Sequence, residues 1–353
     1  MKISDLISMP LRRKGVLSLA LLMLCNVTAV FGAQLDVFGT VSMQLEHVSP
    51  GKSNTKNYTA LRDIYTRVAL QFTHDLNEDL QFLALLEMPF DTVNLEVQHA
   101  WDQKEDIIDN NERIAKLQLS SSRYGAVSVG KGWVPYYFAV SAAVDRFSSY
   151  YSGYSTYSTL RQDELFIYSS PNFNGFKFNL ARAHKNGDRE KSGSFDDRDQ
   201  ITISYANSEV TAGLAMEDIG GENNRRIFGA SVSRKMGDFY VAAKYEEQQS
   251  DITDKSIFGY DGSKAVNFYA EYAWGDHKVK GLVAKINGFG EGVFHLGYDY
   301  YINPNLKLFT EYFSEEKGAA ISTKKGGFRD TYFADGGSAF LVGFNYSFEK
   351  NLF

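Results

Sequence analysis

The sequence predicts an all-β protein, a transmembrane antiparallel β-barrel of sixteen strands, and three observations lead to this prediction. In residues 338–348, Phe340, Val342 and Phe344 lie on one parity and Gly343 lies on the other, so one face of the segment is apolar and aromatic. Further segments along the chain repeat the same alternation, and the links between them alternate between short turns and long loops. Strands of about ten residues with one apolar and one polar face fit a barrel wall between lipid and a wet interior.

The predicted strands follow one another as a single domain, because no stretch between them has helical periodicity or the composition of a linker. The first eight lie near 35–47, 63–74, 79–89, 113–121, 125–131, 163–169, 175–184 and 199–207. The second eight lie near 209–218, 224–235, 238–248, 264–274, 277–286, 291–302, 306–316 and 338–348.

The links between these strands indicate which rim of the barrel each belongs to. From the second strand onward, every other link is short and rich in turn residues, as at 75–78 and 303–305. The intervening links are mostly long, with short exceptions around Gly220 and Gly288. Short turns on one rim and long loops on the other are typical of outer-membrane barrels, and an even strand number returns both termini to the short-turn side.

The first 32 residues are predicted to be a secretory signal peptide, which leaves residues 33–353 as the barrel. A basic cluster at 12–14 precedes an apolar run from 16 to 30 that is short for a membrane helix. Cleavage after Gly32 would place Val30 and Gly32 at the two positions before the cleavage site that require small side chains. We expect this signal peptide to direct export of the chain to the periplasm and then to be removed.

Composition excludes several classes of function. The only cysteine, Cys25, lies within the predicted signal peptide, so the mature chain has no disulfide framework and no thiolate metal site. The formal net charge of −6 argues against nucleic-acid binding. The six histidines have no ligand spacing, and no catalytic signature is recognisable. We therefore expect no metal, no cofactor and no enzymatic activity.

At this point the residues resemble a known family, the general diffusion porins of Gram-negative bacteria. Leu35–Thr40 is similar to the family's opening strand, and Ile64–Phe72 to its second strand. Arg161–Phe176 is similar to a segment that follows the third loop. The last strand resembles the signal that directs barrel assembly, with Gly343, Tyr346 and Phe348 as the residues of that signal.

The resemblance implies a passive, water-filled channel in the outer membrane for ions and small hydrophilic solutes. It implies a homotrimer whose contacts are formed by the first few strands and the last one. It also implies contact with outer-membrane lipid and lipopolysaccharide, and with the machinery that assembles barrels. Two alternatives stay open: an oligosaccharide-selective porin, and a surface barrel that serves as an adhesin or structural protein and conducts nothing.

In the resembled family the third loop folds inward and narrows the pore, with acidic loop residues facing basic residues on the wall. The corresponding loop here is 132–162, and Asp145 matches its acid. Arg67, Arg113 and Arg161 match the basic wall residues. The resemblance therefore implies a pore constriction formed by these four residues.

Alternation supports only part of this constriction. Arg67 lies opposite the apolar parity of its strand, so it is expected to point inward. Arg113 shares its parity with Leu117 and Leu119, which argues that it points outward although its position matches the family. Thr40 replaces a lysine common in the first strand of the family, so the constriction carries fewer charges and the ion selectivity stays open.

The same loop is rich in tyrosine, and two interpretations compete. The rings either form the packed core of the loop or provide a track of aromatic faces along which sugar rings slide. These constriction-loop aromatics are Tyr136, Tyr137, Tyr150, Tyr151, Tyr154 and Tyr157. At the C-terminus, we expect the last strand to end at Phe348 and residues 349–353 to form a short tail.

Overall fold

The computed structural model describes residues 32–51, 55–94, 96–97, 113–153, 155–184, 197–221, 223–323 and 334–352. The predicted signal peptide, apart from Gly32, lies outside these residues. In the part of the chain that is described, no helix is both long enough and apolar enough to cross a membrane.

Strands account for most of the described chain. In the first half they are β1 (Ala33–Pro50), β2 (Tyr58–Asp63), β3 (Arg67–Asp75), β4 (Leu80–Asp91), β5 (Glu96–Val97), β6 (Ile114–Ser121), β7 (Gly125–Trp133), β8 (Arg161–Ser169) and β9 (Phe176–Ala183). In the second half they are β10 (Arg198–Ala206), β11 (Val210–Ile219), β12 (Arg225–Met236), β13 (Phe239–Gln249), β14 (Lys264–Trp274), β15 (His277–Ile286), β16 (Glu291–Asn303), β17 (Leu306–Glu315) and β18 (Gly337–Asn351). A short helix, α1 (Pro135–Ala139), and a 3-10 turn (Ser141–Ala143) lie between β7 and β8.

These strands form one closed antiparallel barrel. Apart from β2 with β3 and β5 with β6, each strand pairs with its neighbour along the chain, and β1 pairs with β18 from Asp36↔Asn351 to Pro50↔Gly337, which closes the sheet. Strands β2 and β3 both pair with β1 and are two halves of one barrel strand, interrupted at 64–66. The two-residue β5 pairs only with β4. The barrel therefore has sixteen strands, and the predicted number and order are confirmed.

The two faces of the wall differ as the alternation predicted. On β14 and β18 the side chains of Phe268, Tyr272, Phe340 and Val342 are exposed on the outer face. The opposite, inner face carries polar side chains, and many of these are buried rather than wet. The buried polar inner-face residues include Gln44, Glu46, Gln200, Glu217, Lys244, Glu246, Asn267, Lys280, His295, Asp299 and Glu311. A large part of the inner face is thus covered by protein.

The expected C-terminal tail is wrong, because β18 continues to Asn351. The Asn351 side-chain amide donates a hydrogen bond to Asp36 over 2.9 Å, and the amide of Leu352 donates to the carbonyl of Leu35 over 2.8 Å. Strand β1 already begins at Ala33, so its backbone offers partners to the last residues of the chain. Phe353 lies outside the described residues.

The residues of the predicted assembly signal lie on both faces of β18. Tyr346 is exposed on the outer face. Gly343 has the backbone of Met43 and the ring of Phe309 so close that a Cβ atom would overlap both. The ring of Phe348 lies over Gly39, where a Cβ atom would be 2.8 Å from the ring. Gly343 therefore provides space for the ring of Phe309 on β17, and Gly39 on β1 provides space for the ring of Phe348 on β18.

Candidate functional site

The longest described link in the barrel joins β7 to β8 and comprises residues 134–160, here called the loop segment. It was predicted as 132–162, and the difference arises because Gly132 pairs with Gln162 and Trp133 with Arg161 in the sheet. Helix α1 begins with proline, whose fixed φ suits the first helical position. The segment is held by side chains of the inner face at three main points.

The first point is Glu246 on β13. Its Oε1 accepts hydrogen bonds from the Tyr136 hydroxyl over 3.1 Å and from Thr156 Oγ1 over 2.6 Å. Its Oε2 accepts one from the backbone amide of Tyr157 over 3.1 Å and lies 2.5 Å from the Lys244 ammonium. Lys244 and Glu246 are fully buried, so their charges are compensated by each other and by the loop segment.

The second point is Glu311 on β17. The backbone amide of Ser148 donates to Glu311 Oε1 over 2.8 Å, and the Lys280 ammonium lies 3.1 Å from the same oxygen. His295 Nε2 lies 2.9 Å from Oε2. The ring of Phe147 stacks on His295 with a centroid distance of 3.5 Å. A polar network and an aromatic stack thus hold the middle of the segment against β15 to β17.

The third point is on β1 and β2. The amide of Tyr150 donates to Gln44 Oε1 over 2.9 Å, and the hydroxyl of Tyr151 donates to Glu46 Oε2 over 3.1 Å. Arg62 lies with its Nε 2.8 Å from Glu46 and its guanidinium carbon 4.3 Å from the centre of the Tyr150 ring. The segment therefore contacts strands far apart around the barrel.

Two glycines on the inner face allow α1 to approach the wall. A Cβ atom at Gly213 would lie 2.7 Å from the carbonyl carbon of Ala139, and one at Gly229 would lie 2.7 Å from Cζ of Tyr136. Next to them, the Ser231 hydroxyl donates to the Ala139 carbonyl over 2.8 Å. Glycine is needed at 213 and 229 for close approach, since any side chain there would displace the helix.

The structure brings Arg67 and Arg113 together on one carboxylate, Glu87 of β4. Arg113 Nε donates a short hydrogen bond to Glu87 Oε1, and Arg67 Nε lies 3.4 Å from Oε2. The parity argument against Arg113 is wrong because the β6 ladder begins at Ile114, so Arg113 precedes the strand and is not bound by its alternation. The guanidinium of Arg113 also lies 5.9 Å from the Tyr65 ring.

Arg161, the first residue of β8, completes the group that we call the arginine cluster (Arg67, Arg113 and Arg161). Its guanidinium carbon lies 4.8 Å from the centre of the Trp133 ring. The charges of both other arginines, and that of Glu87, act on it. Two of the three guanidinium groups, those of Arg67 and Arg113, share the single carboxylate of Glu87, so the arginine cluster and Glu87 together carry a net positive charge.

Asp145 does not pair with these arginines. Its carboxylate accepts hydrogen bonds from the Tyr137 hydroxyl over 3.1 Å and from the Ser152 hydroxyl. Burial raises the pKa of Asp145 above its ordinary value, against the lowering effect of these two bonds. Among the described residues, no arginine lies within ion-pair distance of Asp145, which instead connects two parts of the loop segment.

The tyrosines of the loop segment are mostly buried. Tyr136, Tyr150, Tyr151 and Tyr157 all have almost no exposed surface, and Tyr137 is half-buried. Tyr157, for example, donates to the backbone carbonyls of β14 and the β15–β16 link. Tyr154 lies outside the described residues. These contacts favour the packed-core interpretation over a track of exposed aromatic faces.

The residues that hold the loop segment could not be predicted from the sequence. Glu46, Glu246 and Glu311 were recognisable only as inner-face side chains, since alternation gives the face of a residue but not its partner. Gly213 and Gly229 interrupt the inner face of neighbouring strands, and this pair of small residues was the available signal for a close approach.

Comparisons with known proteins agree with the barrel and its order of strands. A family model described as Gram-negative porin matches residues 18–319. No curated protein sequence matches the chain. Many solved structures match the chain.

The anion-selective porin from Comamonas acidovorans is 17% identical, with a TM-score of 0.66 over 90% of this chain and 100% of the other. The Salmonella typhi OmpF structure, a complex with daunomycin, is 18% identical, with a TM-score of 0.66 over 90% and 98%. OmpT of Vibrio cholerae, in its trimer form, is 14% identical, with a TM-score of 0.60 over 90% and 100%. At these identities the structures show a shared fold.

Proposed function

We propose that the loop segment narrows the lumen of a channel. The chain belongs to the Gram-negative porin family and therefore forms a passive outer-membrane channel. We propose further that the channel passes small anions more readily than cations of similar size. The constriction would consist of the loop segment on one side and the arginine cluster on the other. No cofactor and no chemical step take part.

One observation supports the narrowing above all others: the loop segment is bonded to the inner face of several strands of the barrel, from β13 to β1. Gln44 on β1, Glu246 on β13 and Glu311 on β17 each accept a hydrogen bond from a backbone amide of the segment. A segment bonded to the inner face of these strands occupies part of the space that the barrel encloses, which supports the proposed narrowing. The free cross-section for solutes is then smaller than that of the open barrel.

The unequal exposure of the charged groups supports the preference for anions. In the pair Arg67–Glu87 the side chain of Arg67 is 31% exposed and that of Glu87 is 8% exposed. In Arg146–Glu271 the values are 35% and 8%. The cations thus reach toward the water while the carboxylates are covered. A passing ion interacts more strongly with the nearer, wetter charge, so the lumen attracts anions.

The finer points of assembly and location are also proposals. The OmpT structure is described as a trimer, and we propose the same state for this chain, in an outer membrane reached after removal of residues 1–32. Sugar selectivity through the tyrosines is less favoured, because Tyr136, Tyr151 and Tyr157 are buried and their hydroxyl groups are bonded. Neither the attachment of the loop segment to the inner face nor the charge of the arginine cluster favours a surface barrel that serves as an adhesin.

Recording from single channels in a planar lipid bilayer tests the proposal. We expect large ohmic openings that close in three equal steps. In a KCl gradient, the reversal potential should have the sign of chloride preference. Silence from protein that is demonstrably folded would contradict the channel, and a reversal potential of the opposite sign would contradict the anion preference alone.

A further inference from the structure

Phe138 has an unusual environment for a large apolar side chain. It belongs to α1, and its neighbours Tyr136 and Ala139 are buried against the inner face of β11 to β13. Phe138 itself is 62% exposed. Because the buried side of the helix faces the wall, Phe138 faces away from it, into the lumen. The Phe138 ring therefore belongs neither to the lipid-facing surface of the barrel nor to the packed core of the loop segment.

Two other rings adjoin it and complete a group that we call the aromatic cluster (Trp133, Tyr137 and Phe138). The Trp133 and Tyr137 ring centres are 4.5 Å apart, and those of Tyr137 and Phe138 are 5.3 Å apart in an edge-to-face arrangement. Trp133 and Phe138 are separated by 6.3 Å. Trp133 and Tyr137 are half-buried, so the cluster presents an aromatic surface whose most exposed member is Phe138.

Arg161 lies directly beside this surface. Its guanidinium carbon is 4.8 Å from the Trp133 ring centre, a cation–π distance. A guanidinium stacked on an aromatic face keeps its in-plane N–H donors free to bind a carboxylate at two points. Within the described chain, no carboxylate lies within 4 Å of Arg161. Arg67 and Arg113 share Glu87, which leaves a surplus of positive charge around the same place.

We propose that the aromatic cluster and the arginine cluster together form a binding site in the lumen for small aromatic carboxylates. The carboxylate of the ligand binds the Arg161 guanidinium, and its ring packs on Trp133 and Phe138. The inference rests on the proposed channel, since the ligand reaches the site through the lumen. An anion without an aromatic ring would gain only the ion pair with Arg161, and an uncharged aromatic molecule would gain only the contact with the aromatic cluster.

The ligand fits this site better than the alternatives do. Sugars stack on aromatic faces, but they bring no charge to satisfy Arg161. Inorganic anions satisfy Arg161, but they leave Phe138 exposed to water. A benzoate-like ion covers the exposed ring and compensates the charge in one step, and Trp133 contacts both Arg161 and Phe138.

The test measures KCl current through single channels while benzoate, acetate or benzamide is added. We expect benzoate to reduce the current at concentrations where acetate and benzamide do not. Phe138→Ala should raise the half-blocking concentration of benzoate roughly twofold to tenfold, the range expected for one aromatic contact. Arg161→Gln should also weaken the block by benzoate.

The turn between β6 and β7 offers matched controls. There the Arg123 guanidinium lies 5.2 Å from the ring of Tyr124, which is also highly exposed, but both residues are at the rim and not in the lumen. Tyr124→Ala and Arg123→Gln should leave the block by benzoate unchanged. Equal block of wild type by benzoate and acetate would overturn the proposal, and so would equal effects of Phe138→Ala and Tyr124→Ala.

Tryptophan fluorescence of the detergent-solubilised protein separates this site from the channel. Benzoate should change the emission, and the change should be lost in Trp133→Phe and kept in Trp274→Phe, since Trp274 is exposed on the outer face. A silent channel with this spectral change would contradict the proposed function and support the site. Conducting channels without any benzoate effect in either measurement would overturn the site alone.

Discussion

The backbone of Gly213 on β11 lies against that of Ala139 at the end of α1, and a Cβ atom at residue 213 would be 2.7 Å from the Ala139 carbonyl carbon. Gly229 on the next strand has the same relation to the ring of Tyr136. The wall is therefore shaped to receive the helix, which places Phe138 and the rest of the loop segment at a fixed height in the barrel.

Replacement of Gly213 by valine should displace α1 from the wall. Overpacking of this kind costs about 1–3 kcal/mol. The barrel ladder itself needs no glycine here, so we expect a folded barrel with altered conductance and more frequent current fluctuations. Single-channel recording measures both.

Gly281→Ala provides the matched control. Gly281 also lies within a strand, but the nearest atom to a new Cβ would be 3.9 Å away, so the methyl group fits. The conductance of the Gly281→Ala channel should equal that of wild type. If Gly213→Val conducted like Gly281→Ala, the fit between α1 and the wall would have no role in setting the pore.

Replacement of Glu246 by glutamine should loosen the loop segment. The change leaves the fully buried Lys244 without its carboxylate, and breaking a buried ion pair costs about 3–5 kcal/mol. It also weakens the hydrogen bonds from Tyr136 and Thr156. We expect faster proteolytic cleavage within 134–160 in the folded protein, with the barrel still resistant.

The neighbouring Glu247→Gln is the control for Glu246→Gln. Glu247 lies on the outer face, where it bonds the Tyr245 hydroxyl and lies 3.8 Å from Lys264. Exposed pairs of this kind contribute about 0–1 kcal/mol. Cleavage in the loop segment should therefore match wild type. Equal cleavage of both variants would argue against Glu246 as an anchor.

The barrel was predictable from the sequence because its signals are local. Alternation and turn residues are read within ten residues, and they gave the sixteen strands in the observed order. The contacts of Gly213 with Ala139 and of Glu311 with Ser148 join residues far apart in the chain, and no local pattern connects them. The loop segment was therefore located, but its attachment to the wall was not.

Two local rules also failed where the chain leaves the regular ladder. Parity placed Arg113 on the outer face, yet the β6 ladder starts one residue later, and Arg113 turns to Glu87. A tail after Phe348 was expected because Phe353 falls on the opposite parity from Phe348. Pairing with β1 determines where β18 ends, and β1 begins early enough to pair with Asn351.

Arg67 and Glu87 should affect ion selectivity in opposite directions. Arg67→Gln removes a half-buried positive charge and should shift the reversal potential toward potassium preference. Glu87→Gln removes the shared carboxylate and should shift it toward chloride. A unit charge about 4 Å from a passing ion in water contributes about 1 kcal/mol, so each change should alter the permeability ratio by up to about fivefold.

These measurements belong at low ionic strength, where screening is weak. Arg123→Gln, which removes a charge at the short-turn rim, should leave the permeability ratio close to that of wild type. Shifts of the same sign for Arg67→Gln and Glu87→Gln would show that their charges do not act on the permeating ion.

Asp145 should make the protein less stable as the pH rises. Burial raises its pKa in the folded state, so the folded protein keeps the Asp145 proton where the unfolded chain has lost it. The contribution of this proton to the free energy of unfolding is complete below the ordinary aspartate pKa of about 3.9. It is lost as the pH rises through the raised pKa of the folded state. Asp145→Asn cannot titrate, so the wild-type minus Asp145→Asn free energy of unfolding should fall with pH.

Asp79 gives the opposite sign and serves as the comparison. It lies in the turn before β4, and hydrogen bonds from the Ser121 and Ser122 hydroxyls lower its pKa. Its contribution is present above the ordinary aspartate pKa and is lost as the pH falls. Urea unfolding in lipid vesicles from about pH 3 to pH 7 measures both differences, and the other carboxylates cancel in each. A wild-type minus Asp145→Asn difference that rose with pH, as expected for Asp79→Asn, would mean that hydrogen bonds outweigh burial at Asp145.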